Sequence, residues 1–269
     1  MAVLQNCLRL VAVVLFVCCS PAQKTTADIN AGGLVVDGKM WSSLFQQKAA
    51  EYNALCYQAY NIAKQRIDEA LQNHQGKPLA VVTDIDETVL DNSPYAVHRA
   101  LQRKDYSPDS WYEWTAKGNA TPMPGSLDFF NYAMSKGVTV FYITNRDEKE
   151  RTGTLMNLKK FNYPFSDDEH LILRQATSSK ESRRQAVAAN YEIVLLLGDN
   201  LSDFSTLWDK KPAELRNKNV DDNAQLFGKK FIMLPNANYG GWEDAIYGNQ
   251  YNLTPSQKDS AIRANLRSY

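Results

Sequence analysis

Two aspartates one residue apart, Asp84 and Asp86, follow the apolar run Leu79 to Val82 after a single threonine, and Thr88 stands two positions further on. A buried strand would deliver both carboxylates to a sheet edge, and in open α/β sheets ligands bind just outside the carboxyl ends of the strands. Paired carboxylates repel unless a cation joins them. A small hard cation takes carboxylate and carbonyl oxygens and leaves room for water and phosphate. A lone Asp-x-Asp is equally well a solvated acidic turn. What changes the balance is a second acidic strand end, Ile193 to Leu197 running into Gly198-Asp199-Asn200-Leu201-Ser202-Asp203. The strand Val138 to Ile143 ends in Thr144, and Lys180 stands where a helix opens.

If the strands are parallel, these groups face one crevice. The aspartates Asp84, Asp86, Asp199 and Asp203 then offer oxygens to one divalent cation. A cation, a lysine and a threonine hydroxyl together make a pocket for a phosphoryl group. Asp84 is the candidate nucleophile, and Asp86 is placed to pass a proton to the leaving oxygen and take one back from water.

The elements that must position these residues are visible in the pattern. Apolar positions from Trp41 through Leu44, Phe45, Tyr52, Leu55, Cys56, Ala59, Ile62 and Ile67 to Leu71 step by three and four, which predicts one long amphipathic helix or two in line, packed on the core. Strands are expected at 79–82, 138–143, 171–173, 193–197 and 230–234, with helices between them at 127–134, 152–161 and 180–189. Near-continuous apolar strands alternating with helices predict an α/β fold, an open, parallel, Rossmann-like sheet covered on both faces. Residues 92–123 interrupt that alternation with Tyr95, Tyr106, Trp111, Tyr112 and Trp114. They read as a small helical cap insert over the strand ends, Trp111 facing a planar substrate group and Trp114 holding the insert down.

At 269 residues, the chain has room for one large domain. Thirty basic residues balance thirty acidic ones, which argues against a nucleic-acid polymer as partner. The apolar run 10–19 follows Arg9, falls short of the roughly 20 residues that span a bilayer, and precedes Ser20-Pro21-Ala22. Residues 1–22 therefore read as an export leader, with lipidation of Cys18 or Cys19 left open, and residues 23–38 as a tether. Of four cysteines only Cys56 falls in the body of the chain, where it reads as core filler.

Taken together, Val81-Val-Thr-Asp-Ile-Asp-Glu-Thr-Val-Leu-Asp-Asn-Ser-Pro-Tyr95 and Val194-Leu-Leu-Leu-Gly-Asp-Asn-Leu-Ser-Asp-Phe204 resemble the paired signatures of the class C acid phosphatases. These are bacterial secreted or outer-membrane enzymes of the four-aspartate branch of the haloacid-dehalogenase-like (HAD-like) superfamily. Ile143-Thr-Asn-Arg146 and Pro235-Asn-Ala-Asn-Tyr-Gly-Gly-Trp-Glu243 extend the likeness over roughly residues 40 to 250. The resemblance implies a HAD-like phosphatase domain over 39–269, Asp84 as nucleophile and Asp86 as acid and base. It also implies Thr144 and Lys180 as phosphoryl-binding groups. Mg²⁺ would be held by Asp84, the Asp86 carbonyl and Asp199, with Asp203 close behind. Trp111 and Tyr239 match the aromatics that hold the base of a nucleoside 5′-monophosphate in related enzymes. An exported, periplasmic or outer-membrane protein is implied, with a homodimer and a lipid anchor left open. His74, His98 and His170 lie in no Arg-His-Gly context, which removes a histidine phosphatase. The alternative from a different class is a surface binding or storage protein on the same fold. Storage proteins of this kind typically lose the nucleophile, and Asp84 is present.

Overall fold

A computed structural model describes residues 33–72 and 74–269. The leader, the first part of the expected tether and both lipidation candidates lie outside the described residues. Two helices, α1 (Gly33–Lys48) and α2 (Ala50–Gln72), precede the first strand, β1 (Leu79–Thr83). Then come β2 (Leu90–Asp91), α3 (Ser93–Leu101), α4 (Pro108–Thr115) and β3 (Thr121–Pro122). The regular alternation follows: α5 (Ser126–Ser135), β4 (Thr139–Ile143), α6 (Arg151–Lys160), β5 (Leu171–Ile172), α7 (Glu181–Asn190) and β6 (Glu192–Gly198). The described chain continues through α8 (Ala213–Asp222), β7 (Phe231–Met233), α9 (Gly241–Ile246) and α10 (Pro255–Asn265).

The main sheet has the order β5-β4-β1-β6-β7, and every pairing in it is parallel. Each residue of β1 is buried, as a strand at the centre of a doubly covered sheet must be. Alternate residues face opposite layers. Leu79 and Val81 pack with Tyr60, Ile67, Phe129 and Phe130 from α2 and α5, while Ala80 and Val82 pack with Val187, Phe204, Trp208 and Phe231. Each fully buried side chain of this size stabilises the fold by about 1.5–3 kcal/mol. Cys56 is one of the fully buried residues of the first layer.

Three features differ from the sequence pattern. The helical start reaches back to Gly33, so residues 33–38 are not tether, and Val35 and Val36 are buried. Within α1 the expected apolar face points outward: Trp41, Leu44 and Phe45 are exposed, whereas Ser43 and Gln46 are buried. The reason is what α1 packs against. It lies on α3 and α10, and its inner face meets polar side chains, Ser43 Oγ donating to Asn238 Oδ1 (3.2 Å) and Gln46 Nε2 to Asp91 Oδ1 (2.6 Å). Residues 92–123, finally, are not wholly helical. They carry α3 and α4, and the antiparallel pair β2–β3 matches Leu90 with Pro122 and Asp91 with Thr121, drawing the two ends of the segment together. Proline in the first turn of both helices costs nothing there, since its missing N–H would have no helical partner.

Candidate active site

The end of β1 continues its ladder for one more residue, Asp84 N–H donating to Leu197 O at 3.0 Å. That bond aims the Asp84 carboxylate out of the strand end, where Lys180, at the start of α7, donates to its Oδ1 at 2.5 Å. The same ammonium lies 2.7 Å from Asp203 Oδ1. Asp199, the first residue past β6, accepts from Asn236 Nδ2 at 2.7 Å through Oδ2. Asp84, Asp199 and Asp203 thus form a buried trio whose nearest oxygens all lie within 4.8 Å of one another. Gly198 permits the approach: a Cβ there would stand 2.3 Å from Asp203 Oδ2.

Three carboxylates crowd together beside one ammonium, which bridges only Asp84 and Asp203, and the electrostatics show the deficit. Burial drives Asp84 well above the ordinary carboxylate range, Lys180 opposing and Asp203 and Asp86 adding to the rise. Asp199 is raised as well, by burial first and then by Asp203 and Asp84. Burial acts to lower Lys180, yet Asp203 and Asp84 outweigh it and the ammonium is held charged. Among the described residues, neither Asp84 Oδ2 nor Asp199 Oδ1 has a hydrogen-bond donor. Crowded carboxylates with free oxygens fit a small hard cation, which would relieve both the repulsion and the desolvation.

Asp86 does not join the trio. Its carboxylate turns to Arg146, whose Nη2 and Nε donate to Oδ1 at 2.7 and 3.1 Å, and Asn92 Nδ2 adds a bond at 2.9 Å. Arg146 is itself 2% exposed; it also donates to Thr154 Oγ1 and lies over the Trp111 ring, 5.8 Å from its centroid. Thr144, fully buried, accepts the Arg146 N–H through Oγ1 at 3.2 Å. Its carbonyl accepts from Arg183 Nη1 at 2.6 Å.

A cavity of about 700 Å³ opens beside these groups. Asp86, Trp111 and Tyr239 are among its lining residues, as are Glu87, Asn145 and Arg146. Asp84, Thr144, Lys180, Asp199 and Asp203 are buried and do not line it. Trp111 stands edge-on to Tyr95, ring centroids 5.0 Å apart. Trp114, half-buried against the core, donates from Nε1 to Asn92 Oδ1 at 2.8 Å. Sequence reasoning assigned nothing to Glu87, Asn92, Arg146, Arg183 or Asn236. For Glu87 and Arg146 the one available signal was a charged residue beside a strand-end motif.

Comparisons with known proteins identify the family. The family model for HAD superfamily, subfamily IIIB (acid phosphatase) matches residues 34–242. The class C acid phosphatase from Bacillus anthracis is 40% identical and superposes with a TM-score of 0.85, covering 87% of this chain and 99% of that one. The same Bacillus anthracis protein with tungstate bound superposes with a TM-score of 0.84. The class B acid phosphatase from Morganella morganii is 30% identical over 226 residues, 81% of this chain and 87% of that protein. A stem 31 kDa glycoprotein from Glycine max is 31% identical over 126 residues, 45% of this chain, and the match spans only 50% of that relative's length. Its parallel sheet and strand-end aspartates are in keeping with the match, and the chain belongs to the acid phosphatases of HAD subfamily IIIB, with a likeness to a class C member that covers 99% of that relative.

Proposed function

We propose that this chain is a divalent-metal-dependent phosphomonoesterase that acts on nucleoside 5′-monophosphates through a phosphoryl group carried on Asp84. The observation that supports this reading above all is the buried Asp84–Lys180–Asp203 bridge beside Asp199, at the end of the central strand. Lys180 and the Thr144 hydroxyl bind phosphoryl oxygens. The free Asp84 oxygen attacks phosphorus as the bond to the leaving oxygen breaks, and Asp86 gives its proton to that oxygen. Water then attacks the aspartyl-phosphate, losing a proton to Asp86, and releases phosphate and the free carboxylate. Bound by Asp84, Asp199 and the Asp86 carbonyl, with Asp203 alongside, a divalent cation such as Mg²⁺ would supply positive charge against the carboxylates and the phosphoryl oxygens. Tungstate, taken up by the Bacillus anthracis relative, is a tetrahedral oxyanion like phosphate, which suits this reading. Trp111 and Tyr239 in the cavity wall suit a flat base. Export to the periplasm or outer membrane is inferred from the leader residues and from the family resemblance. No described helix is long and apolar enough to cross a membrane.

The test is turnover of a nucleoside monophosphate by the parent and by Asp84→Asn, with and without chelator. Asp84→Asn keeps the fold and falls to near background, and no phosphate is trapped on it by acid quench. Chelation abolishes the parent's activity and added Mg²⁺ restores it. Asp86→Asn loses about 10²–10⁴-fold, the usual share of general acid–base work. Normal turnover by Asp84→Asn, or in lasting excess of chelator, would remove the reading.

A further inference from the structure

Glu87 belongs to the same motif as Asp84 and Asp86, yet the proposed chemistry gives it no task. It is 1% exposed, and its backbone is held in the left-handed region at φ 54° by an N–H bond to Leu90 O of 2.9 Å. A glutamate is rarely kept in that conformation unless its surroundings over-determine it. Here both carboxylate oxygens are engaged. Oε1 accepts the Asn92 N–H at 2.7 Å, at the entry to α3. Oε2 accepts the hydroxyl of Tyr239, which arrives from 152 positions along the chain.

Tyr239 follows β7 in a loop held at a second point, since its neighbour Asn238 is buried, donates to Gln46 Oε1 at 3.0 Å and accepts from Ser43. The Glu87 bond fixes the far end of the ring, and the ring lines the cavity. Asn92, the other partner of Glu87, also donates to Asp86 and accepts from Trp114. One carboxylate therefore ties the loop after β7 to the start of the aromatic segment and to the loop bearing both aspartates.

We propose that Glu87 is a positioning residue that holds the Tyr239 ring in place as a wall of the substrate cavity and so sets the preference for planar leaving groups. The selectivity part rests on the nucleotide reading above; the positioning part does not. A carboxylate suits the task because it accepts two donors from divergent directions. A glutamine keeps the Asn92 bond through its oxygen and can donate to the Tyr239 oxygen through its amide, so it should rescue the function.

The experiment compares kcat/KM for a nucleoside 5′-monophosphate and for glycerol phosphate in the parent, Glu87→Ala, Glu87→Gln, Tyr239→Phe and the Glu87→Ala/Tyr239→Phe double variant. Glu87→Ala lowers the selectivity ratio about tenfold, the scale of one buried hydrogen bond, mainly through KM for the nucleotide. Glu87→Gln stays near the parent, Tyr239→Phe matches Glu87→Ala, and the double variant is no worse than either single. Equal losses on both substrates, or losses that add in the double variant, overturn the proposal. Should Glu87→Ala not fold, Tyr239→Phe removes the same bond from the other side, and unchanged selectivity there overturns it. A parent with no preference between the two substrates overturns the selectivity part together with the nucleotide reading. Positioning is then decided by the ¹⁹F resonance of 3-fluorotyrosine at Tyr239, assigned by its loss in Tyr239→Phe. A shift or broadening in Glu87→Ala, absent in Glu87→Gln, supports positioning; an unmoved resonance overturns it.

Discussion

Arg146 joins two side chains that sequence reasoning treated separately. It holds Asp86 through its fork of N–H groups and lies over the Trp111 ring. Such a guanidinium cannot be replaced by lysine without losing the fork on Asp86. Trp111 thus has a cation over its ring and the rings of Tyr95 and Tyr106 beside it, contacts that favour one ring orientation. Stacking of a base on an aromatic ring is worth about 1–3 kcal/mol. Trp111→Ala should therefore raise KM for a nucleoside monophosphate by roughly tenfold or more, with a smaller change for glycerol phosphate. Equal losses on both would mean that Trp111 serves only to hold Arg146 and the aromatic segment.

At the scale of elements, α1 is part of the site rather than a lead-in to it. Gln46 is 5% exposed and bridges Asp91, at the end of β2, to Asn238, next to Tyr239. Truncating it leaves the buried Asn238 amide without its acceptor, at about 1–3 kcal/mol for a buried polar group left unpaired, and takes one of two donors from the half-buried Asp91, whose Oδ1 keeps the Ser93 N–H. Gln46→Ala should lower stability by about 2 kcal/mol or more, measured as a denaturant midpoint, while Trp41→Ala on the exposed face changes it little. The contrast also explains what could be read in advance. Asp84 and Asp199 were legible because each closes an apolar run, and a parallel sheet points all such ends one way. The near-continuous apolar strands gave the layers for the same reason. The inner face of α1 was not legible, because a helix that seals a polar site carries Ser43 and Gln46 inward and breaks the hydrophobic rule. Nor were Arg146 and Glu87, whose partners lie 60 and 152 positions away. The side-chain turn of Asp86 away from the other aspartates followed from Arg146 and was hidden with it.

For the folded body as a whole, Asp105 is a junction. It sits between α3 and α4 and receives Lys39 of α1 at 2.6 Å and Lys258 of α10 at 2.8 Å. Burial acts to raise its carboxyl, but Lys39 and Lys258 outweigh this and bring it down to about 2. A carboxylate depressed in the folded state stabilises above its unfolded value and loses that contribution as pH falls through the folded one. The junction should be at full strength above about pH 5 and fade between about pH 4 and pH 2. Asp105→Asn should cost about 2 kcal/mol at pH 7, and the gap from the parent should narrow towards pH 2 in urea titrations at both values. A gap that stays constant with pH would show that the aspartate acts by shape and not by charge.

The strand order carries a consequence of another kind. The two outer strands of the sheet, β5 and β7, have only two and three residues. An outer strand exposes a row of unpaired N–H and C=O groups, and long flat ones recruit strands from other chains. Edges this short offer a passing chain a handful of backbone bonds at most, too few to offset the entropy of ordering it. The central strands, which are apolar enough to seed a fibril, are shielded on each side by neighbours too brief to template one.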